Sequence, residues 1–214
     1  MKPVELYKSL LASFGPQNWW PASTKFEVII GAILTQQTNW RSVEKAIHEL
    51  RRNKLLAPKA LSSAKIPAIE SCILPTGFYK QKARRIRILA QEFPRIKKLA
   101  DKLEQSEFRA ELLKFEGVGK ETADSILLYA FAFPILPIDA YTHRITRRIY
   151  GFDGDYEQLR LFYESRLPKE PSLLNEFHAL LVELAKRNCL KKGPVCRTCP
   201  VKTRCRSSSN SKLK

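Results

Sequence analysis

Residues 115–124 read FEGVGKETAD, which sets a Gly-x-Gly turn between two segments whose apolar residues recur at helical spacing. Glycine permits a tight turn and lets the backbone come close to a phosphate. The helix predicted to begin at Lys120 offers unpaired amides and the positive end of its dipole, and the lysine adds a charge. The stretch therefore predicts two helices joined by a hairpin that can bind one phosphate through Gly117, Gly119 and Lys120.

The helical periodicity of this stretch extends over most of the chain. Alternating β-branched runs bounded by turn residues are almost absent, and apolar residues recur every three or four positions. We therefore predict an all-α fold without internal repeats. The predicted helices cover residues 42–50, 81–92, 106–114, 120–133, 140–150 and 173–188, and prolines are expected to separate them.

The composition points to a polyanionic partner. The chain has 214 residues, 44% of them hydrophobic, and its 38 basic residues against 21 acidic ones give a formal charge of +17. Such an excess favours nucleic acid, although charge alone leaves a generically basic cytosolic or ribosome-associated protein open. Neither a signal peptide nor a run of about 20 apolar residues is evident, so we expect a cytoplasmic protein with no membrane partner, associated with the nucleoid if prokaryotic.

Four of the five cysteines, Cys189, Cys196, Cys199 and Cys205, fall within 17 residues. Disulfides are disfavoured in the cytosol, so this cluster predicts either structural zinc or a cubane iron-sulfur cluster. Only one Cys-x2-Cys pair is present, whereas structural zinc sites commonly use two. The remaining cysteine, Cys72, is expected to be a buried or inert thiol. Folded around a cluster, the loop would hold its basic residues where they can face phosphates, and a merely solvated charged loop is the alternative. These residues are Lys191, Lys192, Arg197, Lys202 and Arg204.

An aspartate, Asp139, follows the proline-bounded apolar segment 134–138 and begins a predicted helix. A lone aspartate at a helix start is most often an N-cap, so capping is its expected role on local grounds.

Taken in order, the Gly-Val-Gly hairpin, the proline-bounded Asp139 and the four-cysteine loop resemble the helix-hairpin-helix (HhH-GPD) DNA glycosylase superfamily. The segments 34–38 and 76–83 match as well. The cysteine spacing resembles that of endonuclease III, where it implies a 4Fe-4S cluster. The resemblance also implies a monomer that acts on a damaged or mismatched base in double-stranded DNA.

The resemblance implies two helical lobes with the DNA and the flipped base in the cleft between them. One lobe would comprise residues 25–133 and end in the hairpin. The other would combine 1–24 with 134–206 and carry the iron-sulfur loop, leaving 207–214 as a disordered basic tail. On the same match, Asp139 is the catalytic carboxylate, and Gln36 fills the gap left by the flipped base. Gly117 and Gly119 hold backbone phosphate.

The hairpin departs from the endonuclease III pattern at one position. In bifunctional members a lysine there forms a Schiff base with the sugar and leads to strand cleavage, and this chain has Glu121 instead. A carboxylate cannot form an imine. Lys120 stands one residue earlier, about 100° away around the helix. We therefore expect a monofunctional glycosylase, and lyase activity would depend on Lys120 reaching the sugar.

The aromatic residues suggest the substrate. The Trp19-Trp20-Pro stretch, an aromatic at Trp40 and the sequence 117–124 resemble the 3-methyladenine glycosylase branch, whose best-matched members lack the cysteine loop. Alkylation makes a purine cationic, so electron-rich stacking on Trp19, Trp20, Trp40 and Tyr141, with Glu121 nearby, can select it. Core packing is the alternative role for these aromatic side chains.

Two other functions remain open at this point. One is a glycosylase for thymine or uracil in mismatches, or for oxidised pyrimidines, with or without lyase activity. The other is a non-catalytic iron-sulfur DNA-binding protein, which the presence of Asp139 disfavours.

Overall fold

The computed structural model describes residues 1–210, and all regular secondary structure in that range is helical. The predicted all-α fold is confirmed. The helices are α1 Pro3–Phe14, α2 Lys25–Leu34, α3 Trp40–Arg52, α4 Pro58–Ser63, α5 Ile66–Ile73, α6 Tyr79–Ala100, α7 Gln105–Leu112, α8 Lys120–Ser125, α9 Ala140–Tyr150, α10 Tyr156–Glu164, α11 Pro171–Arg187 and α12 Arg206–Asn210. Shorter elements are 3-10 turns at Leu74–Thr76, Cys196–Thr198 and Lys202–Arg204 and a π-helical segment at Ile126–Ala130.

The chain forms two compact units, which we call the hairpin unit, Ala22–Phe133, and the cysteine unit, Met1–Pro21 with Pro134–Lys214. The hairpin unit is built around α2, in which nine of the ten residues are buried. This helix packs against α3, α6, α8 and the π-helical segment. A helix that is apolar on nearly every face is stable only when neighbours surround it, which explains its central place.

The cysteine unit packs α11 against α1 and α9, and α12 also contacts α9. Its core includes Leu6, Leu10, Phe177 and Leu180, all with no exposed surface. The cysteine loop follows α11 directly, so the core helices of this unit fix where the loop begins.

Prolines explain some of the differences from the predicted helices; α2, α10 and α12 were also not among the predicted ranges. Proline lies in the first turn of α1, α4, α5 and α11, where its missing N–H is tolerated. Helices α4 and α5 were therefore not predicted. The segment predicted as one helix over 120–133 is instead α8 followed by the π-helical turns.

Helix α6 continues through Pro94, whereas the sequence predicts that it ends at residue 92. The residues on both sides of the proline hold it in place: the Phe93 ring lies 5.1 Å from that of Phe26, and Ile96 is fully buried. Tertiary packing thus outweighs the local cost of the proline.

At the C-terminus, the sequence predicts a disordered tail at 207–214. In the structure, residues 207–210 instead belong to α12. The Arg206 side chain lies against Gly151 at the end of α9, which anchors the start of this helix. Residues 211–214 lie outside the described part of the chain. Among the helices of residues 1–210, none is long and apolar enough to cross a membrane.

Candidate active site and cysteine loop

The Gln36 side chain is held by the hairpin. Its Nε2 donates to the Gly117 carbonyl at 2.7 Å and to Thr122 Oγ1 at 2.9 Å. The turn after α2 is thereby joined to the Gly-x-Gly loop and to the first turn of α8. Both hydrogen bonds of the Gln36 amide lie within the hairpin unit. The side chain would have to break them before it could fill a gap in DNA.

Behind Gln36 lies a buried lysine that the sequence analysis did not single out. Lys82 is 2% exposed, and its Nζ donates to the carbonyls of Leu34, Gln36 and Thr76 at 2.8–2.9 Å. All three ammonium protons thus have backbone acceptors. Burial lowers the pKa of Lys82 to about 8, and the nearby Arg85 charge adds to this effect. The lysine fixes the backbone of the turn that carries Gln36.

The start of α8 is open towards solvent. Its N-cap is Gly119, which has no side chain to bond the first amides, and Lys120 and Glu121 are both exposed. Gly117 has a φ of 79°, a conformation that favours glycine, and the Arg85 side chain covers the place where a Cβ would stand. The buried side of α8 is held by a bidentate ion pair between Arg109 and the fully buried Asp124.

The start of α9, in contrast, is closed by its own cap. Asp139 Oδ1 accepts a hydrogen bond of 2.7 Å from the Thr142 amide, as expected for an N-cap aspartate. The preceding residues Ile135, Leu136 and Ile138 are buried, and the Ile138 amide donates to the Tyr156 hydroxyl at 3.3 Å. The buried residues before Asp139 and its N-cap hydrogen bond therefore both fix the position of the carboxylate.

A buried polar cluster lies behind Asp139. The Nε2 atom of His178 stands 3.7 Å from Asp139 Oδ2, and the two side chains are only 9% and 15% exposed. Burial lowers the pKa of His178, opposed by the Asp139 charge, so the imidazole is neutral at neutral pH. The fully buried Tyr163 hydroxyl lies 2.7 Å from Thr146 Oγ1, and burial raises the pKa of this tyrosine.

Helix α9 also holds the cysteine loop. Arg144 Nε donates to the Cys189 carbonyl at 2.9 Å, and Arg148 Nη1 donates to the Leu190 carbonyl at 2.7 Å and to Cys189 Sγ at 3.3 Å. The Cys205 thiol donates back to the Arg148 carbonyl at 3.4 Å. Both ends of the loop are thus attached to α9, the helix that Asp139 caps.

The four loop cysteines are half-buried free thiols, and Cys72 is a buried one, as predicted. Burial raises the pKa of the Cys199 thiol, and charges on Cys189, Cys196 and Cys205 act in the same direction, so the four sulfurs lie within electrostatic range. Within residues 1–210, no three Cys, His, Asp or Glu side chains are grouped closely enough to hold a metal ion. The donor set itself, four thiols with an arginine N–H on one sulfur, fits a thiolate-ligated cluster chemically.

The predicted base-pocket residues are divided between the two units. In the cysteine unit, the Trp19 and Trp20 rings lie 5.5 Å apart across a cis peptide bond, and Tyr141 is 37% exposed beneath the Arg144 guanidinium. In the hairpin unit, Trp40 is the first residue of α3 and is half-buried. Each aromatic therefore keeps some accessible surface, as a stacking role requires.

Lys82 and His178 were not predicted as functional residues, although each lies on an apolar stripe of its helix. Lys82 shares a helical stripe with Ile86 and Leu89, and His178 shares one with Leu174 and Leu181. A polar side chain on an apolar stripe is buried with the core and needs a specific partner.

Comparisons with known proteins identify the family of the chain. Residues 30–169 match the model of the HhH-GPD superfamily base excision DNA repair proteins. A protein of Methanocaldococcus jannaschii assigned as a DNA repair glycosylase is 41% identical over 95% of both chains. Endonuclease III of Thermotoga maritima is 31% identical over 94% of this chain and 91% of its own.

Among solved structures, the H. pylori 3-methyladenine DNA glycosylase bound to 1,N6-ethenoadenine matches with a TM-score of 0.76 and 27% identity. The match covers 87% of this chain and 98% of that one. The chain therefore belongs to the HhH-GPD superfamily of base excision DNA repair proteins, as a DNA glycosylase of the endonuclease III-like kind.

Proposed function

We propose that the chain is a monofunctional DNA N-glycosylase for alkylated purines such as 3-methyladenine, with Asp139 as its catalytic carboxylate. The observation that carries this proposal is the pair of acids at two helix starts. Asp139 is fixed by its cap and by its surroundings, and an exposed Glu121 stands where lyase relatives have the nucleophilic lysine.

Asp139 would act on the charge that develops as the glycosidic bond breaks. Positive charge builds on the sugar, and a carboxylate held at fixed geometry stabilises it without reorganising. The same carboxylate can orient or deprotonate the attacking water. Oδ1 accepts a hydrogen bond from the Thr142 amide, and each carboxylate oxygen has a further lone pair that can face the substrate.

The exposed residues at the start of α8 support hydrolysis without strand cleavage. Glu121 cannot form an imine, and Lys120 leaves the helix in a direction about 100° away. The product would be an abasic site in an intact strand. Here Lys120 contacts phosphate together with the backbone at Gly117 and Gly119, consistent with the exposure of Gly119 and Lys120 and with the net charge of +17.

The substrate assignment rests on charge and stacking. An N3-alkylated purine is cationic and already a good leaving group, so a pocket can select it without strong proton donation. Trp19, Trp20, Trp40 and Tyr141 would supply π faces, and Glu121 would supply negative charge. At an effective dielectric of about 20, that charge is worth on the order of 1 to 3 kcal/mol, roughly tenfold to a hundredfold in selectivity.

We further propose that Cys189, Cys196, Cys199 and Cys205 hold a 4Fe-4S cluster. Such a cluster, fully ligated by cysteine, would contribute architecture or redox sensing, since no iron site is open to substrate. Protein purified without oxygen should absorb broadly near 400 nm and contain about four irons per chain. Cys199→Ser should lower iron content and DNA affinity, with Cys72→Ser as the matched control. Stoichiometric zinc without iron would contradict this assignment.

A panel of single-lesion duplexes tests the substrate. Wild-type protein should release 3-methyladenine faster than it releases uracil or thymine from mismatches. Trp40→Ala should slow alkylpurine release, and Glu121→Gln should reduce the preference for it about tenfold. Excision of pyrimidines with none of alkylpurine would favour the mismatch alternative, and an unchanged preference in Glu121→Gln would reject the charge argument.

A further inference from the structure

We propose that His178 is a positioning residue for Asp139, whose neutral imidazole donates its Nε2 proton to Oδ2 and holds the carboxylate in its working orientation. This inference rests on the proposed catalytic role of Asp139. It starts from the 3.7 Å separation between the two atoms, on the opposite side of the carboxylate from the helix cap.

We assign the tautomer of the imidazole from its neighbour. An ionised carboxylate only accepts hydrogen bonds, so a ring nitrogen that donates to it carries the proton. Burial lowers the pKa of His178, so one proton remains on the ring at neutral pH. The facing atom is Nε2, which assigns that proton to it. A separation of 3.7 Å exceeds a formed hydrogen bond, but such contacts tighten when substrate binds.

The neighbouring tyrosine cannot replace the histidine in this role. Thr146 Oγ1 donates its only proton to the Thr142 carbonyl at 2.7 Å. The Tyr163 hydroxyl, 2.7 Å from the same Oγ1, must therefore be the donor in that contact. Its proton is committed to Thr146, whereas the imidazole Nε2 lies 3.7 Å from Asp139 Oδ2 and can donate to it.

The consequence is a carboxylate held from two directions. The Thr142 amide fixes Oδ1, and the imidazole fixes Oδ2 and keeps the plane of the group constant as charge develops on the sugar. Neutral His178 contributes orientation and a dipole without neutralising the charge that Asp139 supplies. Its loss should lower the rate of bond cleavage more than the affinity for lesion DNA.

Two variants of His178 differ mainly in reach. Gln places an amide nitrogen near the position of Nε2, and Asn has the same amide one methylene shorter. We expect His178→Asn to lower the single-turnover excision rate about tenfold to a hundredfold, with lesion-DNA Kd changed less than about threefold. His178→Gln should recover most of the rate. Equal rates in the two variants, whether both normal or both slow, would overturn the proposal.

Nitrogen-15 NMR of the wild-type imidazole provides a test that needs no variant. Between pH 6 and 8 the ring should remain neutral with its proton on Nε2. A proton on Nδ1, or an imidazolium throughout this range, would overturn the proposal. The proposed function is tested separately. If Asp139→Asn is fully active, the catalytic assignment of Asp139 is wrong. If Asp139→Asn is inactive and His178→Asn has a normal rate, only the positioning role of His178 is wrong.

Discussion

Helices α8 and α9 begin in opposite ways. The start of α8 is capped by Gly119, which has no side chain, and its first residues, Lys120 and Glu121, are exposed. The start of α9 is capped by Asp139, whose side chain bonds the Thr142 amide and faces a buried histidine. A helix start whose cap has no side chain suits a phosphate, whereas a side-chain cap fixes the carboxylate that makes it.

In the proposed function, this difference separates binding from chemistry. At α8, specificity for backbone phosphate requires only amides, a lysine and glycines that allow close approach. At α9, the same kind of helix end orients one acid, and a buried polar cluster supports it from behind. Variants at the two helix starts should therefore change different measurements, rate at α9 and affinity at α8.

The largest effect is expected for Asp139→Asn. Asparagine keeps the N-cap hydrogen bond, so the melting temperature should change little. The loss of charge should lower the single-turnover excision rate by about a hundredfold to ten thousandfold, with lesion binding largely intact. Near-normal excision by this variant would show that Asp139 is not catalytic. The start of α9 would then have no chemical role that distinguishes it from the start of α8.

Lys82→Met should weaken the support of the hairpin. The change leaves three buried carbonyls without their shared donor, so we expect a loss of about 3 kcal/mol in the free energy of unfolding, measured by urea denaturation. Lys80→Met, at an exposed position of the same helix, is the matched control and should fall within about 0.5 kcal/mol of wild type. Equal stability of the two variants would show that Lys82 does not fix the Gln36 turn.

The two hairpin glycines should respond differently to alanine. Gly117→Ala combines a positive φ with a collision against Arg85, so it should reduce both stability and DNA affinity. Gly119 has a φ of −86° and no atom within 4 Å of an added Cβ, so Gly119→Ala should fold normally. Any loss of duplex affinity in Gly119→Ala, expected to be about tenfold or less in a salt titration, would then report on phosphate approach alone. Unchanged affinity in both variants would contradict phosphate binding at this loop.

The sequence predicted local features better than distant contacts. The cap at Asp139, the helix 140–150 and the buried Cys72 depend on neighbouring residues or simple burial, and each is found as expected. Helices α4 and α5, which start at prolines, were missed because proline was interpreted as a break, and α6 passes Pro94 because its flanks are packed. The partners of Lys82 and His178 come from segments up to 48 residues away, which periodicity cannot identify.

Borohydride trapping tests the central claim most directly. Wild-type protein, incubated with a 3-methyladenine duplex and sodium borohydride, should release the base, leave the strand intact until alkali is added, and form no covalent protein–DNA complex. This outcome follows if α8 only binds DNA and Asp139 at α9 directs water to the sugar. A trapped complex that disappears in Lys120→Ala would contradict the account, because chemistry would then reside at the helix start assigned to binding.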